Sequence, residues 1–254
     1  YSEYQFIDAT LKSIIRQNLK RSILVIIVIN NEKDAKEKVF LNNQKTYGLI
    51  KKFYKSIDIR VVDCYNEGNW IVEKKFGVGY VRKIGLDLAL INSHENTILC
   101  WLDADTIIER DYIEKLFNIY NENDNVSLVT NFKHLTHIKE SINIGMINYE
   151  NFLKDTAAKL SGAGSIYKFV PLGPTITCKA KAYVSVGGLT PHKATEDFYF
   201  LQDLCKYGKI IYSDNILVYP SPRLSDRVYL GTGYRMSQVN KGYDINELYF
   251  SDKS

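Results

Sequence analysis

The stretch 96-NTILCWLDADT-106 decides the fold of this chain, because an apolar run ends there in two closely spaced carboxylates. Residues 97–102 show no alternation of polar and apolar side chains, which predicts a strand buried on both faces of a mostly parallel α/β sheet. Asp103 and Asp105 lie two positions apart, so their side chains share a face if the backbone stays extended. Open α/β sheets bind ligands beyond the carboxyl ends of their strands, so this acidic pair is predicted to lie at a ligand crevice.

The acidic pair is also a candidate metal site. Two neighbouring carboxylates repel each other unless a cation or a hydrogen-bond donor lies between them. Mg²⁺ and similar ions favour a few carboxylates together with phosphate oxygens, so Mn²⁺ or Mg²⁺ bound with a nucleotide diphosphate is the expected occupant. A surface turn after a strand is the alternative, because Asp-x-Asp is common by chance.

The composition narrows the class of protein. The chain has 254 residues, 45% of them hydrophobic and 24% charged, with a net charge of +4, which is typical of a globular protein and does not indicate a nucleic-acid partner. Its four cysteines lie far apart and favour free thiols in a reducing compartment. The longest aliphatic run, Ile23 to Ile29, is seven residues and too short to span a membrane. We therefore expect a cytoplasmic protein, with peripheral association at the inner face of the membrane left open.

Two strands are predicted before the acidic pair, and both end on polar side chains. The run 21-RSILVIIVIN-30 ends at Asn30, and 58-DIRVVDC-64 carries Asp63 near its end. Asn30 either caps the next turn or contacts a ligand. Arg82 lies in the first turn of the helix predicted after these strands, where an anionic neighbour would explain a cation at the positive end of the helix dipole.

The second half of the chain contains a predicted loop and a second acidic motif. Residues 131–172 show no clear periodicity, which predicts a functional loop or lid. His134 and His137 lie within it as a conceivable metal pair, although surface or acceptor-side positions are favoured. The motif 195-TED-197 precedes a predicted helix, so Asp197 is either an ordinary N-terminal helix residue or a carboxylate that the dipole keeps ionised for a function.

In their order and spacing, these stretches resemble family 2 glycosyltransferases of the GT-A fold. The resemblance covers about residues 22–220 and rests on the two strand ends, on Arg82 within YVRKIG, on the DAD and TED motifs, and on GGL at 187–189. The first loop, INNEKD, lacks the proline and Tyr-Asn of the family, and the Asp-Ser cluster after the second strand is missing. We expect one domain over residues 1–254, with residues 221–254 as a tail.

The resemblance implies transfer of a sugar, with inversion, from a nucleotide diphosphate donor to a hydroxyl of a saccharide or glycoconjugate acceptor. A divalent cation would be held by Asp105, with Asp103 on the metal or the ribose. Asp197 would be the catalytic base, and Glu196 would orient the acceptor or brace the loop. The implied donor contacts are Asn30, Asp63, Arg82, Asp103, Ala104 and Gly188.

The donor and the tail carry two further predictions. Asp63 accepting an N–H of the base favours UDP-sugars first and GDP-sugars second. The tail is arginine-rich and too irregular for a helix, so we predict that it folds over the donor and that Arg223, Arg227 or Arg235 touches the diphosphate, with a solvated basic surface as the alternative. Three rival functions remain: a retaining GT-A transferase, a sugar-nucleotide nucleotidyltransferase and a non-catalytic nucleotide-sugar binding module.

Overall fold

A computed structural model describes residues 2–17, 22–71, 77–192, 194–226 and 229–248. These residues form seven strands and eight α-helices, largely in alternation. The strands are β1 (Leu24–Asn30), β2 (Asp58–Cys64), β3 (Ile98–Cys100), β4 (Ile107–Ile108), β5 (Ser127–Phe132), β6 (Ile176–Lys179) and β7 (Ile210–Tyr219). The helices are α1 (Ile7–Ile15), α2 (Glu37–Ile50), α3 (Gly77–Leu90), α4 (Tyr112–Glu122), α5 (Glu140–Gly162), α6 (Ala180–Ser185), α7 (Glu196–Tyr207) and α8 (Thr232–Asn240).

The strands form two hydrogen-bonded groups with helices packed around them. β1 and β2 pair in parallel along their whole length, and the other five strands follow the order β3-β6-β5-β7-β4. In the larger group β5 and β7 are parallel, while β3–β6, β5–β6 and β4–β7 are antiparallel. The predicted α/β class is confirmed, but the pairing is more mixed than a mostly parallel sheet. An apolar run reports burial of a strand on both faces, and it says little about the direction of the neighbouring strand.

The helices cover the strands with regularly spaced apolar side chains. In α4 the fully buried residues are Tyr112, Leu116 and Tyr120, at intervals of four, so one face of the helix meets the core. They pack in one cluster with Leu11 of α1 and Leu128 of β5. A second cluster joins α3, α6 and α7 to β3, β5 and β6. The neighbouring residues Leu128 and Val129 belong to different clusters, so the two clusters lie on opposite faces of β5.

Two segments predicted to be irregular are helical. Residues 131–172 contain α5, a helix of 23 residues, and the tail contains α8, which includes Arg235. The buried positions of α5 follow helical spacing but include Gly145 and Glu150, so their hydrophobic pattern is weak. α8 packs directly on α5, and the predictions of a loop and a non-helical tail were wrong because the stability of these helices comes from that contact. Among the described residues no helix has the length and apolar character needed to cross a membrane.

Candidate functional site

A cavity of about 1950 Å³ extends along β1 and β3 and reaches the acidic turn and the segment that follows β7. Its polar wall carries the acidic pair, Arg82, and the first two residues of α7, Glu196 and Asp197. These residues come from three distant parts of the sequence, which the fold brings to one place. The acidic pair follows the end of β3 and lines this cavity, and its position at a ligand crevice stays a prediction.

The acidic pair lies in a turn and not in an extended strand. β3 ends at Cys100, and the N–H of Thr106 donates to the carbonyl of Asp103 at 3.0 Å, which bends the backbone between the two aspartates. The hydroxyl of Thr10 in α1 donates to the carbonyl of Ala104 at 2.8 Å and holds the turn from the other side. The expected shared face is therefore absent, and each carboxylate has its own arginine partner.

Arg82 links the acidic turn to α7. Its Nη2 lies 2.5 Å from Oδ1 of Asp103, and its Nη1 lies 2.6 Å from Oε1 of Glu196. Burial alone would lower the pKa of Arg82, but the two carboxylates outweigh it and raise the pKa further above its ordinary value. The side chain of Glu196 is only 3% exposed, so this ion pair supplies the counter-charge that a buried carboxylate requires.

Two glycines leave room for this ion pair. A Cβ atom at Gly173 would lie 2.7 Å from Nη2 of Arg82. A Cβ atom at Gly79 would lie 3.0 Å from the side chain of Glu196 and 2.9 Å from the carbonyl of His192. Any side chain at these positions would displace the guanidinium or the start of α7, so both glycines act by their small size.

Asp197 is partly buried at the second position of α7 and is held by backbone donors. Its Oδ2 accepts the N–H of Gly173 at 3.0 Å, and its Oδ1 accepts the N–H of Phe198 at 2.9 Å. Burial, together with the charges of Glu196 and Asp103, raises the pKa of Asp197 to about 6, although Arg82 opposes the shift. The group is therefore mostly ionised at neutral pH, and it takes up a proton at a mildly acidic pH.

Thr195 does not cap α7 with its side chain. Its φ is +67°, and its hydroxyl donates to the carbonyl of Ala194 at 2.5 Å. The alternative that TED is an ordinary helix start therefore has no capping hydrogen bond from the side chain of Thr195. The carboxylate of Asp197 instead joins α7 to the turn at Gly173.

Asp105 is paired with an arginine of the tail. Nε of Arg223 lies 2.7 Å from its Oδ2, and the other side of the guanidinium contacts Glu3. Burial, followed by the charge of Asp103, raises the pKa of Asp105 to about 6, while Arg223 acts against the shift. Nothing in the sequence indicated that Glu3 belongs to this site, because it is an isolated glutamate before the first helix.

The remaining predicted donor residues are spread more widely. Asn30 lines the cavity at the end of β1, and its carbonyl accepts from Nδ2 of Asn43 at 2.9 Å. Asp63 is outside the cavity lining and accepts four hydrogen bonds from its own loop: the N–H groups of Tyr65 and Asn66, and the side-chain amides of Asn66 and Asn69. Burial would raise the pKa of Asp63, but these bonds outweigh it and lower the pKa.

Gly188 and Arg227 do not join the described site. Gly188 has φ +75°, and its N–H donates to the carbonyl of Tyr183 at 2.8 Å, so it closes α6 in a conformation that favours glycine. It is not part of the cavity lining. Arg227 lies outside the described residues. The donor contacts predicted for both residues stay predictions.

The two histidines have separate environments. His134 lines the cavity and is almost fully buried, with its Nδ1 2.7 Å from Oε1 of Glu150. His137 lies on the far side of the strand end, where its Nδ1 accepts the N–H of Lys139 at 3.0 Å. Within the described ranges no three His, Cys, Asp or Glu side chains come together as a metal cluster. The two imidazoles thus have different hydrogen-bond partners, and no observation on the described residues supports a metal site between them.

The acidic turn nevertheless suits a divalent cation that arrives with its substrate. Asp103 forms an ion pair with Arg82, and Asp105 forms one with Arg223. Each carboxylate is therefore stabilised by a nearby positive charge, which a divalent cation can also supply. Mg²⁺ and Mn²⁺ are commonly bound by one or two carboxylates together with substrate phosphates and water. The two residues present fit an open site of that kind and do not form a closed protein cage.

Solved structures of glycosyltransferases share this architecture. TarS of S. aureus, residues 1–349 in complex with UDP-GlcNAc, matches with a TM-score of 0.63 and 16% identity over 94% of this chain and 62% of that chain. The complex of the same TarS fragment with UDP matches with a TM-score of 0.61 and 16% identity, over 87% of this chain and 58% of that chain. The chain has the GT-A fold. GalNAc-T7 with UDP, GalNAc and Mn²⁺ matches this GT-A chain with a TM-score of 0.52 and 14% identity, over 96% of this chain and 46% of that chain.

The overall similarity of the GT-A chain to known proteins is found by comparing structures and not by comparing whole sequences. No protein-family model matches the sequence, and no curated protein matches it. The chain spans about six-tenths of the TarS structures that it matches, at 58% and 62% of their length. Its relation to known proteins therefore rests on the fold.

Proposed function

We propose that this GT-A chain is a metal-dependent, inverting glycosyltransferase of family 2 type. It transfers a sugar from a nucleotide diphosphate donor to a hydroxyl of a saccharide or glycoconjugate acceptor. The observation that carries the proposal is the convergence of the acidic turn and Asp197 on one cavity, joined through Arg82. The solved complexes of similar fold with UDP and UDP-GlcNAc support a nucleotide-sugar donor.

The charges of the site support a role for a cation. Among the described residues, Arg82 and Arg223 form ion pairs within a network of five carboxylates, those of Glu3, Asp103, Asp105, Glu196 and Asp197. A donor diphosphate would be repelled by carboxylates close to it unless a cation lay between them. Asp105 and Asp103 would hold Mn²⁺ or Mg²⁺, and the ion would supply charge stabilisation for the departing diphosphate.

Asp197 is the proposed base that accepts the proton of the acceptor hydroxyl. Its two backbone hydrogen bonds fix the carboxylate, and a pKa of about 6 leaves it ionised yet basic enough to take a proton near neutral pH. A fixed carboxylate on the cavity wall favours an inverting displacement over the retaining alternative, which needs no such base. Glu196 is engaged by Arg82, which favours its role as a brace for the loop over a contact with the acceptor.

UDP-sugars are the preferred donors, and GDP-sugars are second. The base would lie towards the ends of β1 and β2, where Asn30 lines the cavity. Asp63 already accepts four hydrogen bonds from its loop, which fills the roughly four acceptor sites of a carboxylate, so a ring N–H of uracil or guanine would replace one of those bonds. The alternative is that Asp63 only shapes the loop that borders the base.

A donor panel tests the proposed function. The protein is incubated with Mn²⁺ and UDP-, GDP-, ADP- and CMP-sugars, and slow hydrolysis of each donor is recorded. We expect release of UDP, or of GDP, that stops in excess chelator and in Asp105→Ala. Hydrolysis that continues unchanged with chelator would contradict the metal role, and hydrolysis of ADP-sugars alone would contradict the donor preference. In a parallel incubation with added pyrophosphate, formation of a nucleoside triphosphate and a sugar 1-phosphate would support a nucleotidyltransferase instead.

A further inference from the structure

Arg223 connects the acidic turn to the N-terminal segment. Its Nη1 and Nη2 lie 2.5 Å and 3.1 Å from the two carboxylate oxygens of Glu3, and its Nε lies 2.7 Å from Asp105. Its guanidinium carbon is 5.1 Å from the ring centre of Phe6. The guanidinium of Arg223 thus contacts both a carboxylate of the proposed metal site, that of Asp105, and the carboxylate of Glu3, which lies 220 positions before Arg223 in the sequence.

The two contacts of this guanidinium are unequal. Glu3 receives two parallel hydrogen bonds in the fork geometry that arginine and carboxylate form best, and Phe6 adds an aromatic face to the same end. Asp105 forms an ion pair with Nε at 2.7 Å, without the paired hydrogen bonds that Glu3 receives. The side chain of Glu3 is 11% exposed, and Arg223 supplies a counter-charge to it at close range. Glu3 therefore anchors the guanidinium, while the ion pair with Asp105 is the contact that another cation can replace.

We propose that Glu3 is a positioning residue for the donor diphosphate, acting through Arg223, an inference that rests on the proposed function. Without a donor, Nε of Arg223 neutralises Asp105. With a divalent cation held at Asp105, the guanidinium would stay anchored on Glu3 beside the acidic turn, and its freed Nε–H would donate to a phosphate oxygen. Phe6 keeps the guanidinium in the same plane in both states.

The sign of the effect of Glu3→Gln separates positioning from simple electrostatics. Removing a negative charge near a diphosphate should tighten nucleotide binding if only the field matters. Loss of the anchor should weaken it, because Arg223 then samples other conformations and its bonds to phosphate cost more ordering entropy. The two explanations therefore predict opposite changes in UDP affinity.

Calorimetric titration of UDP in the presence of MnCl₂ measures this change. The variants are Glu3→Gln, Arg223→Gln, the double variant, and Glu114→Gln, which removes an exposed glutamate of α4 as a matched control. We expect each single site variant to lose about 10-fold in UDP affinity, the size of one charge-assisted hydrogen bond. The double variant should be no weaker than Arg223→Gln, and Glu114→Gln should match the wild type.

Two further measurements secure the interpretation. Arg223→Lys keeps the charge but not the paired bonds to Glu3, so it should also lose about 10-fold, which tests the anchor even if Glu3→Gln folds poorly. Titration of MnCl₂ alone should show tighter binding to Arg223→Gln than to the wild type. Unchanged or tighter UDP binding by folded Glu3→Gln, or losses that add in the double variant, would overturn the inference alone. Failure of the wild type to bind either UDP or GDP with Mn²⁺ would overturn the proposed function as well.

Discussion

At the scale of single residues, Asp197 shows how position and environment combine. A carboxylate near a helix N-terminus is usually stabilised as the anion. Here burial and two acidic neighbours outweigh that effect and raise its pKa to about 6. The raised pKa means that its surroundings destabilise the charged form of the carboxylate. Groups with such shifted pKa values are concentrated at functional sites.

The first prediction concerns removal of the proposed base. Asp197→Asn keeps a side-chain oxygen that can accept the N–H of Gly173, but it cannot take up a proton. We expect the rate of sugar transfer to fall by about 10²-fold to 10⁴-fold, with UDP affinity nearly unchanged. Asp203→Asn, an exposed site on the same helix, is the control and should transfer at the wild-type rate. Transfer by Asp197→Asn at near the wild-type rate would return this residue to a purely structural role.

The second prediction is the pH dependence of Asp197. Its pKa rises from 3.8 to about 6 on folding, so protonation favours the folded state below about pH 4, and this contribution is lost as the pH rises through 6. Asp197→Asn should therefore not lower the melting temperature at pH 7. The rate of transfer should fall about tenfold per pH unit below pH 6, as the base becomes protonated. UDP binding measured over the same range shows how much of that fall is due to Asp105, whose pKa is raised to a similar value. A rate independent of pH between 5 and 7 contradicts the assignment.

At the scale of secondary structure, the contact between α5 and α8 shapes the side of the cavity that the sequence left as a loop. A Cβ atom at Gly145 of α5 would lie 2.9 Å from Cγ1 of Val239 in α8. The two helices approach closely because one residue has no side chain. Tyr149, one turn further along α5, lines the cavity, so this packing carries through to the site.

The third prediction tests that approach. Gly145→Ala should destabilise the protein by about 1–3 kcal/mol, since the added methyl group forces α8 away from α5. Gly48→Ala is the matched control, because Gly48 also lies within a helix and its added Cβ would meet no atom within 4 Å. Replacing a helical glycine by alanine without a clash stabilises by roughly 0.5–1 kcal/mol. Equal stabilisation of both variants in urea unfolding would show that α8 does not pack against α5 in this way.

At the scale of the whole molecule, binding and stability are linked through the acidic turn. A ligand that binds only the folded state raises the apparent melting temperature, and the fourth prediction uses this. At about 100 times its dissociation constant, UDP with Mn²⁺ should raise the melting temperature by roughly 5–10 °C. UDP alone or Mn²⁺ alone should have a small effect, because neither satisfies the charge of the site by itself. Asp105→Ala should remove the synergy, and a full shift produced by UDP in excess chelator would contradict the metal role.

Several strands and helices were predictable because the hydrophobic pattern of neighbouring residues indicates them. The strand over residues 58–64 has the predicted bounds, the first strand ends at Asn30 as predicted, and the strand predicted over 97–102 is present but ends earlier, at Cys100. The helix after Gly77 follows from periodic spacing. Failures occurred where the pattern is weak, as in α5 with its buried Gly145. In each success the signal lies within about ten neighbouring residues, the range over which burial of a strand or helix face repeats.

The sequence alone therefore determined the α/β class and the placing of polar residues at strand ends, since both follow from local hydrophobic pattern. Only the tertiary structure decided how those residues are paired. Arg82 reaches Glu196 across 114 positions, and Arg223 reaches Glu3 across 220. A local pattern holds no information on such partners, because any arginine suits any carboxylate. The choice is made when the fold buries particular charges side by side, where leaving one without a partner would cost several kcal/mol.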